Sequence, residues 1–339
     1  MPDISVCVSI YNNIDNFKKL YHSLISNCSA VRHGLEFLLH DDGSTRPNIA
    51  KEASEFCAEH KIRFIASPVN RGVAASWNTL CQQSRSNIIA LLNDDLLCSS
   101  EDWAGEVLSY FEDNPKMGIV YWCQRIVDPK TGNVERLTTD SIHTIEANKP
   151  LLRHNFCGAY FAFRRSMWQD IVQPDGSTGF WEDANTYCEE FDFSAEILKR
   201  GYFILQLPFT WDHLHSQTFA ANPNKRTRKS YSAYLSVEEF ERFCGIKPRP
   251  YFLRAIRQMI QKPKVEIPMG DYSQAMLQKK WRNETILGFE GEKFLQQMRS
   301  DGFPSALRIA LERGSFSLPD KISGSSSRSL LDPNEASLT

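Results

Sequence analysis

Paired acids mark the first chemistry in this sequence. Asn93, Asp94 and Asp95 follow directly on an apolar run, Ile88 to Leu92, and Leu96 and Leu97 come straight after them. An unpaired carboxylate is expensive to bury, so these acids are expected just past a strand's carboxyl end, facing solvent, a cation or a ligand. Mg2+ or Mn2+ takes one or two carboxylates and completes its shell with phosphate oxygens and water. Asp95, helped by Asp94, has the chemistry for that role. Other polar clusters are Tyr11-Asn12-Asn13, Asp41-Asp42-Gly43-Ser44 and Asn70-Arg71-Gly72. Further on stand Glu182-Asp183, Glu189-Glu190-Phe191-Asp192 and the pair His213 and His215. In an extended segment the two imidazoles share one side, which suits a metal.

Each cluster also has an ordinary reading. Asp-Asp-Gly-Ser is a common turn, Asn-Asp-Asp can cap a helix, and acids at a helix start favour the macrodipole. Tyr11 can simply pack, and a lone histidine pair is more often structural. These readings serve one at a time; they leave unexplained why the clusters fall in order at expected strand ends.

The elements that must position them follow from periodicity. Residues 4–10, 61–67 and 88–92 read as strands, 36–44 as a strand then a turn, and 13–28, 48–60 and 72–84 as helices. In the first helix Phe17, Leu20, Leu24 and Ile25 fall on one face. Strand-helix alternation with short loops predicts a parallel sheet covered on both faces, which binds ligands beyond the carboxyl ends of its strands. Residues 117–128 and 158–165 read as strands separated by a polar segment. Residues 174–188 read as a long loop, 191–202 as a helix ended by Gly201, and 203–219 as a strand running into a histidine-bearing turn.

Composition bounds the class. The chain has 339 residues, 42% of them hydrophobic, with 39 basic and 41 acidic residues. That is ample for a core, and the near-neutral balance argues against wholesale polyanion binding. Nine cysteines lie singly, with no C-x-x-C pair, a pattern that fits reduced thiols. No apolar run approaches the roughly 20 residues of a membrane span, and the N-terminus lacks signal-peptide character; the expectation is a cytoplasmic protein, peripheral at a membrane at most. Residues 222–264 carry eleven Lys or Arg against three Glu, with aromatics interleaved. That segment leaves room for an anionic acceptor or a membrane surface, beside the plainer reading of a solvated face. Oligomeric state is not readable.

Moving a sugar from a nucleotide diphosphate needs a cation at the diphosphate, a base for the acceptor hydroxyl and groups for the nucleotide. The motifs VCVSIYNN, LLHDDGST, NRGVAASWN, LLNDDLL, CGAYFAFRRSMWQDI and CEEFDFSAEILKRGY resemble, in family order, those of glycosyltransferase family 2 enzymes of the GT-A fold. Asn93 matches the N-x-D variant of rhamnosyl- and galactofuranosyltransferase-like members. The resemblance spans residues 3 to 219. It implies an α/β fold with a Rossmann-like, mostly parallel central sheet. The domain would cover 1–220, with a nucleotide-sugar half (1–115) and an acceptor and catalytic-base half (116–220). A basic, mainly helical extension (221–314) and a Ser-rich disordered tail (315–339) complete the expected organisation.

By the same resemblance the donor, a UDP-, dTDP- or GDP-linked sugar, meets Tyr11, Asn13, Asp41, Asp42, Arg71, Gly72, Asn93 and Asp94. Asp95, with His213 or His215, holds Mn2+ or Mg2+. Glu190 stands where the family has its catalytic Asp, flanked by Glu189 and Asp192 in the neighbouring acid positions. The Glu182-Asp183 pair is the alternative base. The implied activity is inverting transfer to a glycan or other hydroxyl acceptor, most simply in surface polysaccharide synthesis, with protein or modified nucleic acid as the alternative acceptor. A nucleotidyltransferase would usually show a Gly-rich phosphate loop after the first strand, which Ile10-Tyr11-Asn12-Asn13 lacks. A non-catalytic sugar-binding protein would not need intact metal and base acids.

Overall fold

The computed structural model describes residues 2–26, 34–128, 130–182, 189–214, 232–236, 264–268, 277–287, 289–290 and 293. The first half alternates as its periodicity predicts: β1 (Ile4–Ile10), α1 (Asp15–Ser26), β2 (Leu35–Asp41), α2 (Ile49–Glu59), β3 (Arg63–Ala66), α3 (Val73–Gln83) and β4 (Ile88–Asn93). Strands β3, β2, β1 and β4 lie side by side in parallel. Residues Ile88 to Leu92 are buried on both faces, as a central strand covered by helices requires. In α1 the buried face is Phe17, Leu20, Tyr21 and Leu24. Ile25, expected on that face, is 39% exposed; Tyr21 takes its place, edge-on to Phe37 and Phe56.

The chain continues through β5 (Leu96–Leu97), α4 (Trp103–Asp113), β6 (Met117–Val127), β7 (Val134–Leu137), α5 (Thr139–Ala147), β8 (Leu151–Arg153), β9 (Tyr160–Arg164) and α6 (Arg165–Asp170). It then forms α7 (Glu189–Lys199) and β10 (Phe203–His213). Strand β9 runs antiparallel between β4 and β6, and β10 runs parallel to β6. The result is one ten-stranded sheet spanning both halves, within a mixed α/β architecture. The polar segment between β6 and β9 holds β7, α5 and β8, which periodicity did not reveal. Thr138 starts α5, its side chain accepting from the Ser141 amide.

Aromatic packing fixes the second half. Phe161, Phe163, Phe180 and Phe193 join β9, the 174–182 loop and α7, with Phe180 and Phe193 stacked at 4.3 Å. Trp103, Trp122 and Trp211 form a second buried cluster.

Beyond residue 220, a mainly helical region was expected. The helical residues described there are 277–281 and Lys293. Two antiparallel strand pairs are also described there, β11 (Ser232–Ser236) with β12 (Lys264–Pro268) and β13 (Thr285–Ile286) with β14 (Phe289–Glu290). Most of the basic segment 222–264 and all of the Ser-rich tail lie outside the described residues, as do Asp183 and His215. Among the described residues, no helix is long and apolar enough to cross a membrane. The described cysteines, Cys7, Cys57, Cys81, Cys98, Cys123 and Cys157, form no disulfide among the described residues.

Candidate active site

The donor side is a set of turns at the carboxyl ends of β1, β2 and β4, clasped by side chains. Asn12, in the left-handed region at φ 60°, accepts from the amides of Thr45 and Arg46 at 2.7 and 2.8 Å, and its own amide donates to Ser44 Oγ at 2.7 Å. Asp41 Oδ1 accepts from the Ser44 amide and hydroxyl. Asp42 accepts from the amides of Arg71 and Gly72 at 2.9 and 3.0 Å, one on each carboxylate oxygen. Gly43 has φ 67°, and a side-chain carbon there would collide with the backbone of Val69 and Asn70. The Asp-Asp-Gly-Ser turn and the Asn-Arg-Gly loop are therefore one locked unit.

Several expected donor ligands have structural duties here. Asn13 caps α1, its Oδ1 accepting from the Asp15 amide at 3.0 Å. Gly72, at φ 92°, turns the chain into α3. Asp41 and Asp42 shape the turns that would face the donor. Tyr11 is part-exposed beside them. Asn12, named in the sequence only as a member of its cluster, is the clasp; a small polar residue that tolerates positive φ was the available signal.

The acid turn sits at the tip of β4. The Asn93 amide donates to the Ala159 carbonyl at 2.7 Å, which ties the turn to the approach to β9. Asp94 and Asp95 are both 5% exposed. The Asp95 carbonyl accepts from the Leu214 amide at 2.8 Å, and this brings the end of β10 alongside. His213 Nε2 then lies 3.2 Å from Asp95 Oδ1, and its Nδ1 lies 2.9 Å from Gln124 Oε1. With Nδ1–H donating to that amide oxygen, a neutral His213 turns the Nε2 lone pair toward Asp95. Asp95 Oδ1 is buried and makes no hydrogen bond. Two lone-pair atoms facing each other, with an amide oxygen behind the imidazole, is the donor arrangement of a metal ligand pair. Among the described residues no three His, Cys, Asp or Glu side chains converge. The pair accordingly fits a cation that takes its remaining ligands from a diphosphate and water.

On the acceptor side, Glu190 opens α7 and lays its carboxylate against Gly158, where any side chain would collide with it. Residue 158 adjoins Ala159, whose carbonyl holds Asn93, so Glu190 and the acid turn are anchored on adjacent residues. Burial pushes the Glu190 carboxyl above the usual carboxylate range. Glu189 is buried beside it. Asp192 points elsewhere: it is fully buried and receives bonds from Gln173 Nε2, Lys280 Nζ and Trp281 Nε1 at 2.8–2.9 Å. Its expected place among the catalytic acids gives way to an ion pair within the protein.

Glu182 bridges to the donor side. Its Oε2 meets Arg71 at 2.5 Å and its Oε1 accepts from Asn78 at 3.1 Å. Asn78 in turn holds the Phe180 carbonyl and amide and Trp168 Nε1. Glu182 is thus a partner for Arg71, which weakens its claim as the base.

Comparison with known proteins agrees with this architecture. Crystal structures similar to the chain include GalNAc-T7 with UDP, GalNAc and Mn2+, at TM-score 0.51 and 14% identity over 63% of this chain and 44% of that one. The mannosyltransferase PcManGT from Pyrobaculum calidifontis, in complex with GDP-Man and Mn2+, aligns at TM-score 0.50 and 16% identity over 99% and 84%. These likenesses establish the fold, GT-A. Poly-beta-1,6-N-acetyl-D-glucosamine synthase of Staphylococcus epidermidis is 24% identical over 210 residues, 60% of this chain and 48% of that protein. The chain spans about half the length of the curated relatives it matches. Residues 5–172 match the family described as Glycosyl transferase family 2. That stretch carries every donor-side turn described above, and the chain contains a glycosyl transferase family 2 domain.

Proposed function

We propose that this glycosyltransferase moves a sugar from a nucleotide diphosphate donor to an acceptor hydroxyl, with inversion, using a divalent cation held by Asp95 and His213. The observation that carries the reading is the buried Asp95 Oδ1 facing His213 Nε2 at the tip of the central strand. Bound there, Mn2+ or Mg2+ would offset the charge that grows on the leaving diphosphate. The locked turns around Asn12, Asp41 and Asp42 would present backbone and side-chain groups to the nucleotide. Arg71, now paired with Glu182, would be available to the donor's phosphates once that pair opens. Glu190, with its carboxyl raised by burial, would take the acceptor proton, since a base whose pKa approaches the working pH is the more effective one. The relative named for a polysaccharide synthase makes a glycan hydroxyl the first acceptor to try.

The test is a thermal-shift screen with Mn2+ and UDP, GDP or dTDP, followed by assay of the matching nucleotide sugars. The expected result is stabilisation by one nucleotide that depends on Mn2+, and release of free nucleoside diphosphate on turnover. Asp95→Ala should abolish both the metal dependence and transfer. Release of pyrophosphate in place of nucleoside diphosphate would identify a nucleotidyltransferase and overturn the proposal.

A further inference from the structure

The ion cluster on the far side of α7 has no part in the chemistry above, and it comes from a stretch outside the family match. Lys280, on the helical stretch 277–281, has three donor hydrogens and three kinds of acceptor. Its Nζ lies 2.8 and 2.9 Å from the Asp192 oxygens, 2.7 Å from Glu196 Oε1 and 2.7 Å from Gln173 Oε1. Trp281 adds an indole N–H to Asp192 Oδ1 at 2.9 Å. The Lys280 ammonium also lies over the rings of Trp181 and Trp281, at 5.4 and 4.7 Å from their centroids. Arg200 pairs with the other oxygen of Glu196, so two acids and two bases balance. Leu277, Trp281, Ile286 and Leu287 are buried against the domain, and Lys199 at the end of α7 pairs with Glu284 at 2.6 Å.

The placement of this cluster matters more than its strength. Asp192 and Glu190 both lie in the first turn of α7 but two residues apart, so they project from opposite sides of it. A first helical turn is the part most prone to fray, because its amides lack partners within the helix. Here one side of that turn is fixed by the bonds to Asp192, and the other side presents Glu190 to the bare backbone of Gly158.

We infer that Lys280 is a positioning residue for the catalytic base: by fixing Asp192 it sets the rotation of the first turn of α7 and so aims Glu190. Trp181 extends the same control to the loop that carries Glu182 and its bridge to Arg71. The inference rests on Glu190 being the base.

The test uses the full chain. Lys280→Met should speed amide hydrogen exchange across residues 189–193. It should also lower kcat about 100-fold, the scale of a displacement of about 1 Å at a reacting group, while the donor KM stays unchanged. Adding Asp192→Asn removes the charge left bare. It should restore the melting temperature without restoring kcat. Return of turnover along with stability in the double variant would show that Lys280 only balances charge, and would overturn the proposal. So would normal exchange and kcat in Lys280→Met. A Glu190→Gln protein that turns over normally would remove the base assignment itself, whatever the exchange pattern.

Discussion

At the scale of single residues, the site separates groups whose polar atoms are already used from groups left open. Asp42 spends both oxygens on the amides of Arg71 and Gly72, while Asp95 keeps a buried oxygen without a hydrogen bond. Glu190 differs from both, because burial raises its pKa. A carboxyl whose folded pKa lies above its unfolded value contributes stability below the unfolded pKa and loses it as pH rises through the folded one. Glu190→Gln should therefore abolish transfer yet melt higher than the natural protein near neutral pH. That gain should shrink as pH falls toward the ordinary carboxyl pKa of about 4.3 and be gone below it; melting curves between about pH 4 and 8 check it. His213 and Asp95 were legible from the sequence because their types and order resemble a family pattern. The clasp made by Asn12 was not, since it depends on a positive φ that the sequence permits but does not demand.

At the scale of elements, what matters is the seam between β9 and α7. Gly158 leaves room for Glu190, and its neighbour Ala159 holds the acid turn by a backbone bond. Gly158→Ala should cut kcat about 100-fold, as expected for a small displacement of a reacting group, with metal-dependent nucleotide binding retained. Steady-state kinetics beside thermal shifts would read the two effects separately. The elements of the first half were legible because their apolar residues recur with clear strand or helix periods. Strands β7 and β8 and helix α5 escaped because their short stretches mix polar and apolar residues. Their stability comes from sheet pairing and side-chain bonds such as those of Thr144 and Arg153 to Gln206, contacts between residues distant in sequence.

For the whole molecule, the boundary near residue 220 that composition suggested does not separate independent parts. Lys280 and Trp281 reach back to a fully buried Asp192, and removing one partner of a buried ion pair costs about 3–5 kcal/mol. A chain ending at residue 220 should melt well below the full chain and lose donor hydrolysis as well as transfer; calorimetry and nucleotide release test both. A lone lysine so far from the acid it serves carries no local signal, so this dependence could be seen only in three dimensions. It has a consequence for biosynthesis. Asp192 and Trp281 are 89 positions apart, so while the chain emerges from the ribosome α7 would have to seat a bare carboxylate until that stretch has followed. The donor side, whose clasping bonds span 29 to 34 positions, can set earlier. The base helix can lock only after residues 280 and 281 have been made.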